Sequence, residues 1–316
     1  MFYACTVTLI IGIVGCRLTS IHVPNAGSCA IGVLLLLAMV LPFPLYLKEK
    51  GKLYLRDSLL TILWALLLYG ILNLPVSVAA RLGMGIGLQD SNFAHLDQAI
   101  GVNVPSIMAW ASNHWLGHLA NESYGLLLPL MCTSVLLPTV AGKVKSAQRF
   151  LTANLLGFAL GLPLFALLPA IGPWYGYHLA AGPDQAECQA ALLLIRTSGP
   201  YVFQPAAFVC FPSFHVIWAI LCVQALWGFR LLRIPVAGLS GLIIFSTMTT
   251  GWHYFFDVLG GILIAVVAMA TAEWLSRAVY STQPSDVITL SEEQPVSVIE
   301  VAPSSTPPPP LVGKAL

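Results

Sequence analysis

The sequence predicts an all-α, polytopic membrane protein with about eight spanning helices. Three observations predict it. Hydrophobic residues make up 58% of the chain and charged residues only 9%, against about 25% charged in a soluble domain. Uncharged apolar runs recur at about 2–16, 29–47, 58–80, 123–142, 150–171, 208–229, 234–250 and 258–272, most of them approaching the roughly 20 residues that cross a bilayer as helix. The loops between these runs alternate in charge.

The first run is short for a span. Val14-Gly15-Cys16 faintly resembles a lipoprotein cleavage site, but no Lys or Arg precedes it, as a signal peptide normally requires. The reading is therefore a short first helix. Runs one and two form an N-terminal region, residues 1–57. Runs three to eight lie within a second region, residues 58–280. Residues 281–316 are rich in Ser, Pro and Glu and include Pro307-Pro308-Pro309-Pro310. They read as a disordered cytoplasmic tail.

Charge orients the spans. Lys48, Lys50, Lys52 and Arg56 lie between runs two and three, and Lys143, Lys145 and Arg149 between runs four and five. Arg230 and Arg233 separate runs six and seven, and Arg277 follows run eight. The positive-inside rule places this set in the cytoplasm. The other loops hold only Arg17, Arg81 and Arg196, beside Asp90, Asp97, Glu122, Asp184 and Glu187. All seven histidines then fall on or near the outer face. Residues 81–121 read as a loop and an interfacial helix on that face. Residues 172–207 read as a long outer loop acting as lid or binding element, with Trp174, Tyr175 and Tyr177 as interfacial anchors.

Net charge is +1, which gives no basis for nucleic-acid binding. Seven cysteines show no metal-ligand spacing. Cys5, Cys16, Cys29, Cys132 and Cys222 sit in apolar runs as small core residues. Cys188 and Cys210 lie in or beside one loop and can pair if it faces an oxidising compartment. His114 and His118 have metal-ligand spacing, but Trp115 stands where a zinc protease has Glu, and interfacial packing is the preferred reading. No metal ligands and no cofactor are assigned.

Two short stretches carry the chemistry. One is Cys210-Phe211-Pro212-Ser213-Phe214-His215; the other is Gly251-Trp252-His253-Tyr254-Phe255-Phe256-Asp257, followed by Gly260-Gly261. Asp257 lies four residues after His253, so on a helix the two share a face. A carboxylate at mid-membrane depth costs about 3 kcal/mol and tends to mark function. Gly260 and Gly261 permit close helix approach. An Asp-oriented His with a second His can attack and release a phosphate ester without a metal.

Phe-Pro-Ser-x-His, followed some forty residues later by His-Tyr-x-x-Asp-Val-x-x-Gly, resembles the type 2 phosphatidic acid phosphatase superfamily. The nearest branch in appearance is the inositol phosphorylceramide synthase-like one. Leu168-Pro169-Ala170-Ile171-Gly172-Pro173-Trp174-Tyr175 and Leu194-Ile195-Arg196-Thr197-Ser198-Gly199 are similar to that branch as well. The resemblance covers roughly residues 58–280.

It implies a six-helix core with its site at the membrane surface. His253 matches the nucleophile that takes the phosphoryl group, Asp257 the residue that orients it, and His215 the acid that protonates the leaving oxygen. A phosphoryl group also needs positive charge and donors around its equatorial oxygens. Arg196, the only Arg or Lys of the second outer loop, and Ser213 are the candidates. The chain departs from the wider superfamily in two places. Ser246 and Thr247 stand where a Ser-Arg pair is expected, and the Lys-x6-Arg-Pro motif is absent; the inositolphosphotransferase-like branch shares both gaps.

The function expected is an integral membrane lipid phosphotransferase or phosphatase that works through a phosphohistidine. Its substrate is a phospholipid or lipid phosphate, and its active site faces the extracytoplasmic side. The alternative is a non-catalytic transporter or scaffold on the same fold. A transporter would be expected to show paired broken helices in two halves, and none is read here.

Overall fold

A computed structural model of the chain describes residues 2–25, 27, 40, 42–197, 199–203 and 209–281. Within them lie α1 (Phe2–Leu18), β1 (Ile21–His22), α2 (Pro42–Glu49), α3 (Leu53–Ile71) and α4 (Asn73–Leu82). A 3₁₀ turn (Gly83–Gly85) leads to α5 (Asp90–Ala99), α6 (Val104–Asn113), α7 (Trp115–Tyr124) and α8 (Leu127–Val140). Then come α9 (Val144–Leu167), α10 (Pro173–Gly176), α11 (Pro183–Ile195), β2 (Tyr201–Val202), α12 (Phe214–Leu226), α13 (Arg233–Thr249) and α14 (Phe255–Ser281).

α12 occupies the centre and packs against α8, α9, α13 and α14. Its sequence explains why. Val216, Ile217, Ala219, Leu221, Cys222, Ala225 and Leu226 are all buried, and a helix apolar all round belongs inside. In lipid the hydrophobic effect gives little drive for helix association, so close packing at small residues takes its place. A Cβ on Gly161 of α9 would stand 2.8 Å from Phe214, and one on Gly261 of α14 would stand 2.7 Å from the Ser213 carbonyl oxygen. Both helices therefore approach α12 more closely than alanine would allow.

Helix lengths bear out part of the expected set of spans. Three helical segments are long and apolar enough to cross a membrane: Leu53–Gly85, Val144–Leu167 and Phe255–Ala278. A fourth exists if α7 and α8, bent by 56° at their junction, count as one broken span. The runs at 208–229 and 234–250 form helices of only 13 and 17 residues. Apolar residues continue past α12 into turns, around Phe211-Pro212-Ser213 before it and Gly228 after it, so the first run exceeds its helix, whereas the second matches α13 in length. The first run holds the shorter apolar helix Val7–Leu18. Most of the run at 29–47 and the tail beyond Ser281 lie outside the described residues.

Among the described residues, the segment expected as an outer loop at 172–207 carries secondary structure. It contains α10, α11 and β2, and β2 pairs in parallel with β1 in the register Ile21–Tyr201, His22–Val202. Trp174 is not an interfacial anchor: it is 2% exposed, lies edge-on to Trp252 at 5.3 Å and donates to Gln189. Its ring area serves packing because α10 is folded inward over the 250–254 turn.

The two ends of the bundle differ in chemistry. At one end Lys143 reaches the Gly228 carbonyl (2.8 Å), and Arg149 pairs with Glu273 (2.6 Å). At the other, the residues after α9 meet the residues before α14, and both histidine motifs lie there.

Candidate active site

His253 sits in the turn between α13 and α14. Gly251 makes that turn with φ +74°, a left-handed conformation that favours glycine; a Cβ there would also stand 2.6 Å from Met108. The His253 amide donates to the Thr247 carbonyl at 3.0 Å. Its side chain is fully buried, as is that of Asp257.

The Nδ1 atom of His253 lies 2.9 Å from the Cys210 carbonyl oxygen and 3.4 Å from Asp257 Oδ2. A carbonyl can only accept a hydrogen bond. Nδ1 is therefore the protonated nitrogen, and the lone pair of the neutral ring resides on Nε2. Burial is the main influence on this imidazole and pushes its pKa down to about 3, with the Cys210 carbonyl acting in the opposite sense. The ring is neutral at pH 7.

Asp257 has a second task. Its Oδ2 accepts from the Tyr254 amide at 2.8 Å and from the Cys210 thiol at 3.1 Å. The first contact is the return half of a capping box at the start of α14. Oδ1 of Asp257 is buried with no hydrogen-bond partner.

His215 stands one residue into α12. Ser213 caps that helix, its hydroxyl oxygen accepting from the Val216 amide at 3.4 Å, while the Ser213 amide donates to the Asp257 carbonyl at 3.1 Å. The His215 ring stacks on Tyr124 at 4.3 Å, and its centre lies 5.9 Å from that of His253. The fold thus brings together His215, His253, Asp257 and Ser213.

Arg196 has a different setting. Its Nη2 donates to the Ile86 carbonyl at 2.5 Å; another guanidinium nitrogen, Nη1, is buried without a hydrogen-bond partner. Burial pushes its pKa down, and Asp90 opposes the shift. Its direct hydrogen bond is to the turn before α5 rather than to either histidine.

Several participants escaped the sequence reading. Arg81, 8% exposed, donates to the carbonyls of Thr19, Ile195, Thr197 and Gly199. It thereby tethers Ile195, Thr197 and Gly199 to α4. Asp90 accepts from the Ile171 and Gly172 amides at 3.0 and 2.8 Å and from the Tyr254 hydroxyl at 3.0 Å. Asp97 accepts from the Phe255 and Phe256 amides at 2.8 and 2.9 Å, capping α14 from outside. Both aspartates are buried, and Asp97 serves as a cap for α14. Burial pushes its carboxyl up to about 6. The available signal was two carboxylates seven residues apart, on one face of a helix, in a chain with few charges.

Cys210 and Cys188 are both free thiols. Cys210 Sγ, a His253 ring nitrogen and an Asp257 carboxylate oxygen lie within 4.8 Å of one another, all buried, and are the one His/Cys/Asp/Glu group among the described residues with metal-binding geometry. His114 is not on a helical face with His118; it precedes α7 and stacks on Trp110 at 4.9 Å.

Fold and site define an α-helical protein with membrane-length apolar helices and a histidine pair, one member backed by a carboxylate, at one end of the bundle. The model of the PAP2 superfamily matches residues 91–271, more than half of the chain, and the chain belongs to that superfamily. Its members are generally phosphatases or phosphotransferases. No curated protein and no solved structure matches the chain.

Proposed function

We propose that this protein is an integral membrane enzyme that transfers or removes a phosphate group on a lipid through a phosphohistidine at His253, and that it resembles the inositolphosphotransferase-like branch. The observation that carries the proposal is the pairing of His215 and His253, 5.9 Å centre to centre, with Asp257 behind His253 at 3.4 Å.

In this reading His253 Nε2 attacks phosphorus, and the P–O bond to the leaving alcohol breaks. His215 gives that oxygen its proton. Water or a second alcohol then attacks the phosphohistidine, with His215 now taking the proton. The positive charge that grows on the His253 ring is offset by Asp257 and by the Cys210 carbonyl. Ser213 and Arg196 are the candidate donors to the equatorial oxygens. The proposal includes about eight spans, with the site on the extracytoplasmic face. The arrangement supports it because Lys143, Arg149 and Arg233 make their contacts at the end opposite the histidines.

The test is an assay of the purified protein for phosphate release and headgroup transfer over a panel of lipid phosphates and phospholipids. Turnover in the wild type, loss in His253→Ala and an acid-labile phosphoenzyme trapped in His215→Ala are expected. Activity of His253→Ala equal to the wild type overturns the mechanism. Absence of turnover with every lipid favours the non-catalytic alternative.

A further inference from the structure

We propose that Cys210, His253 and Asp257 form a binding site for a thiophilic divalent cation of the zinc class, and that filling this site switches the nucleophile off. The inhibitory part rests on the role proposed for His253; the site itself does not.

A thiol, an imidazole and a carboxylate are the three ligand types that zinc takes from proteins. Here they come from two distant stretches of chain, and all three side chains are buried. The distances fit as well. A tetrahedral zinc with bonds of about 2.3 Å to sulfur and about 2.0 Å to nitrogen or oxygen has S–O and N–O edges of about 3.5 and 3.3 Å. Cys210 Sγ lies 3.1 Å from Asp257 Oδ2, and His253 Nδ1 lies 3.4 Å from the same oxygen. Both separations fall within about 0.4 Å of the tetrahedral edges, and the sulfur and the imidazole nitrogen lie within 4.8 Å of each other. The other carboxylate oxygen points the same way. Asp257 Oδ1 is buried with no hydrogen-bond partner, an arrangement costly for an anion in a low-dielectric interior and relieved by a cation. Three protein donors leave a fourth position for water or an anionic oxygen.

On binding, the Cys210 thiol gives up its proton to solvent and ligates as thiolate. His253 Nδ1 exchanges its proton for the metal, and the neutral ring then carries its one proton on Nε2. That nitrogen holds the attacking lone pair in the apo enzyme, so the bound ion removes the nucleophile without occupying the space of the phosphate. Cys210 is thus placed to sense metal: its thiol is not required as a proton donor or acceptor in phosphoryl transfer.

The test uses full-length, reduced, chelator-treated protein in nanodiscs, titrated with cadmium as the spectroscopic probe. The readout is the cadmium–thiolate charge-transfer absorption. One equivalent bound by a site lost in Cys210→Ser, with affinity at least tenfold weaker in Asp257→Asn, is expected. An absorption equal in wild type and Cys210→Ser, or absent from the wild type, overturns the site. If Cys210→Ser does not fold, Asp257→Asn decides independently: unchanged affinity there also overturns the site. In an active preparation, zinc should inhibit and chelator should restore activity, with each variant scored against its own metal-free rate. Cadmium bound at Cys210 with full activity retained overturns the switch. Cadmium bound at Cys210 in a protein inactive on every lipid leaves the metal site standing and defeats the phosphotransfer reading instead.

Discussion

Replacing Asp257 by Asn separates two jobs that a carboxylate can do for a histidine. In hydrolases where the Asp alone fixes the tautomer, Asp→Asn costs about 10⁴ in kcat. Here the Cys210 carbonyl lies closer to Nδ1 (2.9 Å) than Asp257 does (3.4 Å), so the tautomer survives the substitution. What is lost is attraction between the carboxylate and the charge that grows on the ring as Nε2 attacks. At 3.4 Å and an effective dielectric of about 20, a full charge is worth about 5 kcal/mol and a half-developed one about 2.4 kcal/mol. That corresponds to a loss of about 60-fold to about 4,000-fold in kcat. The assay is single-turnover phosphoenzyme formation, with folding checked by thermal unfolding in detergent. A loss below tenfold would mean that Asp257 is not electrostatically coupled to the nucleophile. A loss equal to that of His253→Ala would mean that Asp257, not the carbonyl, sets the tautomer.

Other substitutions probe the supports of the site. Arg196→Lys should lose at least tenfold in kcat/KM, about 1.4 kcal/mol, because one ammonium cannot replace a guanidinium that holds the Ile86 carbonyl and presents a second donor; full activity would reduce Arg196 to a tether of the turn before α5. Gly261→Ala should cost about 1–3 kcal/mol of stability and lower kcat, since its Cβ meets the Ser213 carbonyl and so shifts the base of His215; a melting temperature equal to wild type counts against that contact. Asp97, with its folded pKa raised to about 6 from about 3.9 when unfolded, binds more protons in the native state. Its contribution to stability therefore falls as pH rises from about 4 to about 6 and is level above that. Asp97→Asn should flatten that slope in melting curves taken across the window, and an unchanged slope excludes Asp97 as its source.

Whatever depends on local spacing and composition was legible in the chain before it folds. Long apolar runs made it helical and suited to a membrane. The four-residue step from His253 to Asp257 put imidazole and carboxylate on one side of a helix start, and Gly260-Gly261 announced close packing there. The alternation of basic loops grouped the histidine motifs at one end. The remaining features depend on contacts between residues far apart in sequence, and no local pattern encodes them. Hydropathy could not show that α12 is short, since apolar residues fill its flanking turns too. Loop position set Cys188 and Cys210 apart as a possible pair, but no local pattern showed the thiol's partner; Cys210 meets Asp257 only because α14 packs against α12 through Gly261. Arg81 read as an isolated charge until four carbonyls from two distant segments closed around it. Asp90 and Asp97 stood in the sequence only as charges of an outer loop, yet both are buried with backbone amides donating to them. A carboxylate's role is set by which backbone amides reach it, and that is a property of packing rather than of spacing.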